Sequence, residues 1–153
     1  MTEERVVIPI VRKATVQDIE VVKELDDTDT ETCFQVATDE AHYRTLCEAG
    51  RAYLAFDGEM PIGYSRVDKI WPERVPLLSW IYVIPERRNA RVGAALMEAV
   101  STDLREQGYS TMLLSACTKR PEMIERFRRK GLHEAGRLTF PNGTDEVFFW
   151  QPI

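Results

Sequence analysis

Trp80-Ile81-Tyr82-Val83-Ile84-Pro85-Glu86-Arg87-Arg88-Asn89-Ala90-Arg91-Val92-Gly93-Ala94-Ala95-Leu96-Met97 is the stretch that decides the fold. An apolar strand runs into a proline, then a basic turn, then a helix that starts on small residues. The first amide N–H groups of a helix lack intrahelical partners, and that end of the macrodipole is positive, so the junction is an anion site. Arg87 and Arg88 before the helix and Arg91 in its first turn strengthen the field. The segment is suited to holding a phosphate-bearing ligand against the end of a strand.

Working outward, strands are expected at 52–56, 62–70 and 77–84. Asp57-Gly58 marks a tight hairpin between the first two, and Pro72 and Pro76 bracket the next connection. The longest helix is predicted over 90–107: Val92, Ala95, Leu96, Ala99, Val100 and Leu104 fall on one face, and Gly108 stops it. Upstream, residues 5–14 read as a first strand. Thr15 and Asp18 resemble a capping box that opens a helix through Ile19, Val22 and Leu25. A second helix is expected from a Thr38 cap to Gly50. Downstream, 111–117 reads as a buried strand. Pro121 opens a helix with Met123, Ile124 and Phe127 on one face and Gly131 as its stop. Strands at 134–140 and 146–151 flank an Asn142-Gly143 turn. The sum is an α/β (α+β) arrangement of a mixed sheet with helices on its faces.

The chain has 153 residues, a length that fits one domain over 1–153. A formal charge of −5 argues against a general nucleic-acid binder and admits a cationic substrate. Cys33, Cys47 and Cys117 are too few and too scattered for a disulfide framework. With no signal peptide and no apolar run near ~18 residues, the expectation is a cytoplasmic protein without a membrane partner. His42 and His133 have no metal-ligand spacing, so no metal is expected.

The order strand, proline, basic turn, helix, glycine, strand, helix, glycine, hairpin resembles the GNAT N-acetyltransferase superfamily over nearly the whole chain. Arg88-Asn89-Ala90-Arg91-Val92-Gly93 aligns with that family's Arg/Gln-x-x-Gly-x-Gly/Ala signature. The resemblance implies a mostly antiparallel sheet of about seven strands flanked by about four helices. It also implies binding of acetyl-CoA as co-substrate. Backbone amides of Arg88, Asn89, Ala90, Arg91, Val92, Gly93 and Ala94 would hold the diphosphate, and the strand at Ile81, Tyr82 and Val83 would pair with the pantetheine arm. Two positions depart from the pattern. Arg91 stands where a glycine is expected: it is costly if the position needs a positive φ, and tolerable if it is already helical. Phe127 stands at a cofactor-side position where the family often carries a tyrosine that protonates the departing thiolate, and a phenyl ring donates no proton.

Transfer of an acetyl group from a thioester to an amine needs a neutral nucleophile, hence a proton acceptor, and placement does much of the rest. Among candidate catalytic groups, Tyr82, Asp68 and Cys117 lead. Glu73, His42 and Ser79 are further candidates on the base side, with Tyr64, Ser115 and Thr118 on the acid side. The acidic stretch 24–31, placed between the first two helices, either draws a cationic amine or is a solvated loop. The basic run 126–130 reads as a solvated helix end, with CoA phosphate contact as the alternative. The expected activity is direct acetyl transfer to a primary amine of a small molecule or peptide. The alternative is a CoA-binding module without catalysis. A homodimer is open.

Overall fold

The structure, a computed structural model, describes residues 6–29, 39–71, 74–88 and 90–153. The expected capping box forms: Thr15 N donates to Asp18 Oδ2 at 2.8 Å, and the Thr15 hydroxyl accepts from Gln17 N. It opens a 3-10 turn, Val16–Asp18, that leads into helix α1, Ile19–Thr28. Arg12 clamps the same carboxylate at 2.7 and 2.9 Å. Arg12 thereby holds Asp18 at about 2, below its ordinary 3.8. A carboxylate depressed in the folded state stabilises above its unfolded value, and that contribution is lost as pH falls through the folded one. Asp18→Asn is therefore expected to flatten the decline in stability between pH 3.8 and 2. Solvent screening holds the effect to about 1 kcal/mol. Urea titrations at both pH values check it, and an unchanged acid slope would contradict it.

Strand β1 is Ile10–Lys13, shorter than expected, and residues 1–5 lie outside the described part. Helix α2 is Glu40–Glu48. Its cap is Asp39, whose carboxylate accepts from His42 N at 3.0 Å, while the expected cap Thr38 lies outside the described residues. The remaining elements are β2 (Ala52–Asp57), β3 (Met60–Ile70), β4 (Val75–Val83), α3 (Val92–Glu106), β5 (Thr111–Cys117), α4 (Pro121–Arg129), β6 (His133–Thr139) and β7 (Asp145–Pro152).

The sheet runs β1-β2-β3-β4-β5-β7-β6, antiparallel throughout except between β4 and β5. Alternation along the strands separates two cores. Val92, Leu96, Val100 and Leu104 of α3 and Ile124 and Phe127 of α4 pack on Ile62, Leu78, Leu114 and Phe149. On the opposite face, Val22 and Leu25 of α1 and Tyr43 and Leu46 of α2 cover Leu54, Tyr64 and Tyr82. Gly63 lies where α3 comes closest to β3: a Cβ there would sit 3.1 Å from both Leu96 and Val92 and 3.2 Å from the Tyr82 carbonyl.

The acidic stretch is not simply a loop between helices, because its first part is the last turn of α1. Asp26 is buried there and accepts from the Tyr43 hydroxyl at 2.6 Å. The cations of the basic run, Arg126, Arg128, Arg129 and Lys130, face solvent at the end of α4, while Phe127 between them is buried.

Candidate active site

The site begins with a failure of pairing. β4 and β5 pair only at Leu77↔Leu113 and Leu78↔Leu114, so Ser79–Val83 and Ser115–Cys117 diverge without a ladder between them. On its other side β4 stays bonded to β3. Ile84 N donates to Ile62 O at 3.0 Å, and the register continues through Tyr64↔Tyr82. Antiparallel hydrogen-bonded pairs alternate, so Ile81 and Val83 direct their N–H and C=O groups away from β3 and into the slot. The Val83 carbonyl already accepts from Arg88 Nε at 3.0 Å. A bulge at Ser79, where Arg66↔Trp80 passes to Val67↔Leu78, bends β4 at the mouth of the slot.

The start of α3 lies over this strand end. A Cβ on Gly93 would be 4.0 Å from Ile81 Cδ1 and Val83 Cγ2. Arg91, the residue before the helix, has φ 59° and ψ 21°. The position thus requires the left-handed conformation, which explains why a glycine is expected there and makes the arginine strained. That conformation costs a non-glycine residue roughly 1–2 kcal/mol. Arg91→Gly removes the strain but frees the unfolded chain by about 0.4–1 kcal/mol. The variant is expected to melt a few degrees higher; a lower melting temperature in calorimetry would contradict this.

Beside the slot, Arg88, Lys119, Arg120 and Glu122 line a pocket of about 270 Å³, joining the turn before α3 to the turn before α4. Lys119 and Arg120 were not singled out in the sequence. Their signal is the Lys-Arg-Pro junction, which gains meaning only when the sheet brings it next to Arg88. Glu122 is held below the usual carboxylate range by its own backbone amide in the first helical turn, then by Arg120.

On the α1/α2 face the predicted residues fall into two groups. Asp68, Ser79 and His42 are brought together around Arg66. The Ser79 hydroxyl donates to Asp68, Arg66 Nε lies 3.4 Å from Asp68 Oδ2 and 3.3 Å from Ser79 Oγ, and Arg66 Nη1 is 3.4 Å from His42 Nε2. Arg66 also stacks on Trp80. Tyr82 is buried in the second core at 4% exposure, its ring 5.8 Å from the Arg88 guanidinium. Tyr64 is fully buried, and that burial pushes its phenol upward. Tyr64 Oη, Trp80 Nε1 and Asp26 Oδ1 have no hydrogen-bond partner.

Several expectations are corrected. Cys117 is disulfide-bonded, so it has no thiol proton to give; among the described residues Cys47 is the free cysteine. Phe127, expected on the cofactor side, is a core residue at 4% exposure, edge-on to Phe149 at 5.4 Å. Val92, by contrast, was expected to contribute only its backbone amide, and its side chain is in the core. The Thr118 hydroxyl is committed to the Asp145 carbonyl at 3.2 Å. Asn89 and Glu73 lie outside the described residues. Arg88, Arg91 and Ala94 are exposed at the turn, with Ala90 and Gly93 half-buried.

The family model of the acetyltransferase (GNAT) family matches residues 19–132. The chain belongs to the GNAT acetyltransferase family. Its fold is also that of solved GNAT structures. Ard1 from Thermoplasma volcanium superposes with a TM-score of 0.77 at 19% identity, covering 95% of this chain and 97% of that one. YncA of Salmonella typhimurium, a putative acetyltransferase solved with its cofactor acetyl-CoA, gives 0.75 at 15% identity over 95% and 94%. The ribosomal-protein-S18-alanine N-acetyltransferase of Escherichia coli gives 0.74 at 15% identity over 95% and 94%. At these identities the likeness is one of fold. A search of curated proteins returned no significant match. In this GNAT chain no helix among the described residues is long and apolar enough to cross a membrane. No cluster of described His, Cys, Asp or Glu residues is placed to hold a metal.

Proposed function

We propose that the protein transfers an acetyl group from acetyl-CoA to a primary amine of a small molecule or peptide, by direct attack of the amine on the thioester. The observation that carries this reading is the slot itself. The main-chain groups of Ile81 and Val83 that turn away from β3 lie beneath the unpaired amides that open α3 and beside the cations of Arg88, Lys119 and Arg120. A ligand with a diphosphate at one end and an amide-bearing arm at the other satisfies both sets of groups. Arg88 would leave the Val83 carbonyl as an arm amide takes its place, freeing its guanidinium for phosphate.

α3 covers one side of the slot, so the amine must approach from the other, where Tyr82, Trp80 and the buried Asp26 lie. A carboxylate buried there favours a cationic acceptor. Backbone N–H groups of β4 can stabilise the thioester oxygen as it becomes anionic. The Escherichia coli relative in fold is named for acetylating an alanine of a ribosomal protein, which places peptide amines on the panel to be tried.

The test is incubation with acetyl-CoA and a panel of small-molecule and peptide amines, following free-thiol release beside thermal shift. Thiol release that depends on an amine is the expected result. Stabilisation without any release would support the CoA-binding module instead, a reading favoured by the disulfide at Cys117 and by Phe127 at a position where the family often carries a tyrosine. No stabilisation at millimolar acetyl-CoA would defeat both.

A further inference from the structure

The reaction needs a group that takes a proton from the amine, and Glu146, a carboxylate on the strand that flanks β5, was not among the sequence candidates. Glu146 lies on β7, opposite Cys117 of β5. Val147 and Phe149 point into the α3/α4 core, so Glu146 belongs to the opposite face, the one from which the acceptor would approach. Its carboxylate reaches back along β5 to accept a hydrogen bond from the Ser115 hydroxyl. Ser115 is the first β5 residue beyond the last β4 pair, at Leu114. The carboxylate is therefore stationed over β5 at the mouth of the slot, about one strand spacing, ~4.8 Å, from its axis. That is within reach of an incoming amine directly or through one water.

We propose that Glu146, positioned by Ser115, is the proton acceptor for the amine. The inference rests on acetyl-CoA occupying the slot as described above. The ammonium gives one proton to the Glu146 carboxylate, which passes it to solvent. The neutral nitrogen then forms the C–N bond to the thioester carbonyl carbon. The C–S bond breaks with its electron pair leaving on sulfur, and the second proton lost by nitrogen ends on the thiolate as free thiol.

The surroundings agree. Burial raises the Glu146 carboxyl above its ordinary value, and the Ser115 hydrogen bond pulls it partly back. Few charges compete nearby. On β5, Cys117 is disulfide-bonded and does not titrate, and the Lys119 just beyond it lines the basic pocket. On β6 the facing residue is Leu138. On β7, Asp145 is paired with Arg137 at 3.2 Å. Across the slot the ionisable group on this face of β4 is Tyr82. Among the described residues no cation pairs with Glu146. A half-buried carboxylate raised above its ordinary value and without a cation partner is a stronger proton acceptor than a solvated one.

Glu146→Gln should keep the thermal shift with acetyl-CoA, lose roughly 100-fold or more in turnover, and lose the acidic limb of the kcat/KM profile. Ser115→Ala should move that limb to higher pH, because a hydrogen bond that favours the carboxylate is gone. Glu146→Gln turnover within threefold of wild type, with the acidic limb intact, would overturn the assignment. If Glu146→Gln does not fold, Ser115→Ala decides, and an unmoved limb overturns it. If the wild type acetylates no amine of the panel, the functional reading fails separately. Carbon-13 NMR titration of the Glu146 carboxyl still bears on the inference, and an ordinary carboxylate titration overturns it.

Discussion

Gly93→Asp is expected to weaken acetyl-CoA binding by about 10- to 100-fold while leaving the fold at least as stable as wild type. The two effects have opposite signs for one reason. Gly93 is the second residue of α3, and its φ is not positive. A Cβ at this site meets only Ile81 and Val83, at 4.0 Å. The side chain therefore fits, and a carboxylate in the first helical turn adds about 0.3–1 kcal/mol to the helix. A diphosphate seated on the same amides would lie some ~5 Å from that carboxylate. At an effective dielectric near 20 the repulsion is about 3 kcal/mol per full charge pair before salt screening, which is the origin of the predicted loss. Gly93→Ala carries the same Cβ without the charge and should change affinity less than threefold. Calorimetric titration of the three proteins separates these outcomes, and equal affinities for Asp and Ala would remove the diphosphate from this helix end.

Gly63→Val should be the most destabilising of the substitutions considered, at about 3 kcal/mol or more. Its Cβ alone would sit 3.1 Å from Val92 and Leu96 and 3.2 Å from the Tyr82 carbonyl oxygen. The two side chains are themselves fully buried on α3, and the oxygen is backbone, so little can move aside. Overpacking by a single methylene typically costs 1–3 kcal/mol, and valine adds two further methyl groups against a closed wall. At this chain length the loss corresponds to a fall in melting temperature of about 6–12 °C. Gly63→Ala should fall between the two. The variants that still fold should bind acetyl-CoA less well, because pushing α3 off β3 separates its amides from the Ile81–Val83 edge. Denaturation with and without acetyl-CoA measures both effects, and a Gly63→Val protein as stable as wild type would contradict the packing described.

Much of this was legible from local chemistry. The Thr15–Asp18 capping box, the helical periodicity of α3 and the bounds of β5 are set by neighbours within a few residues, and they fold as read. The signature at 88–93 is equally local, and it falls where α3 begins. Arg91 is instructive: the alignment marked it as a position made for glycine, and only the backbone shows the left-handed φ that glycine would relieve.

What stayed hidden depends on strands distant in sequence. The slot exists because β4 and β5, joined through a long crossover, pair at only two positions, and no local pattern encodes where a parallel ladder stops. Glu146 becomes a half-buried carboxylate only when β7 inserts beside β5, and Lys119 and Arg120 become a pocket only opposite Arg88. The disulfide at Cys117 is not legible in the sequence, because pairing cannot be deduced from spacing. Phe127 was assigned by alignment to the cofactor side, whereas its apolar neighbours draw it into the core.

The central claim is that acetyl-CoA lies between β4 and β5 under the start of α3. Residue-resolved NMR of the wild-type protein titrated with acetyl-CoA tests it most directly. The account predicts saturable amide shifts largest at Ile81, Val83, Gly93 and Ala94, with smaller ones at Lys119 and Arg120. Binding that shifts other amides and spares these, or no shift at millimolar acetyl-CoA, would contradict it.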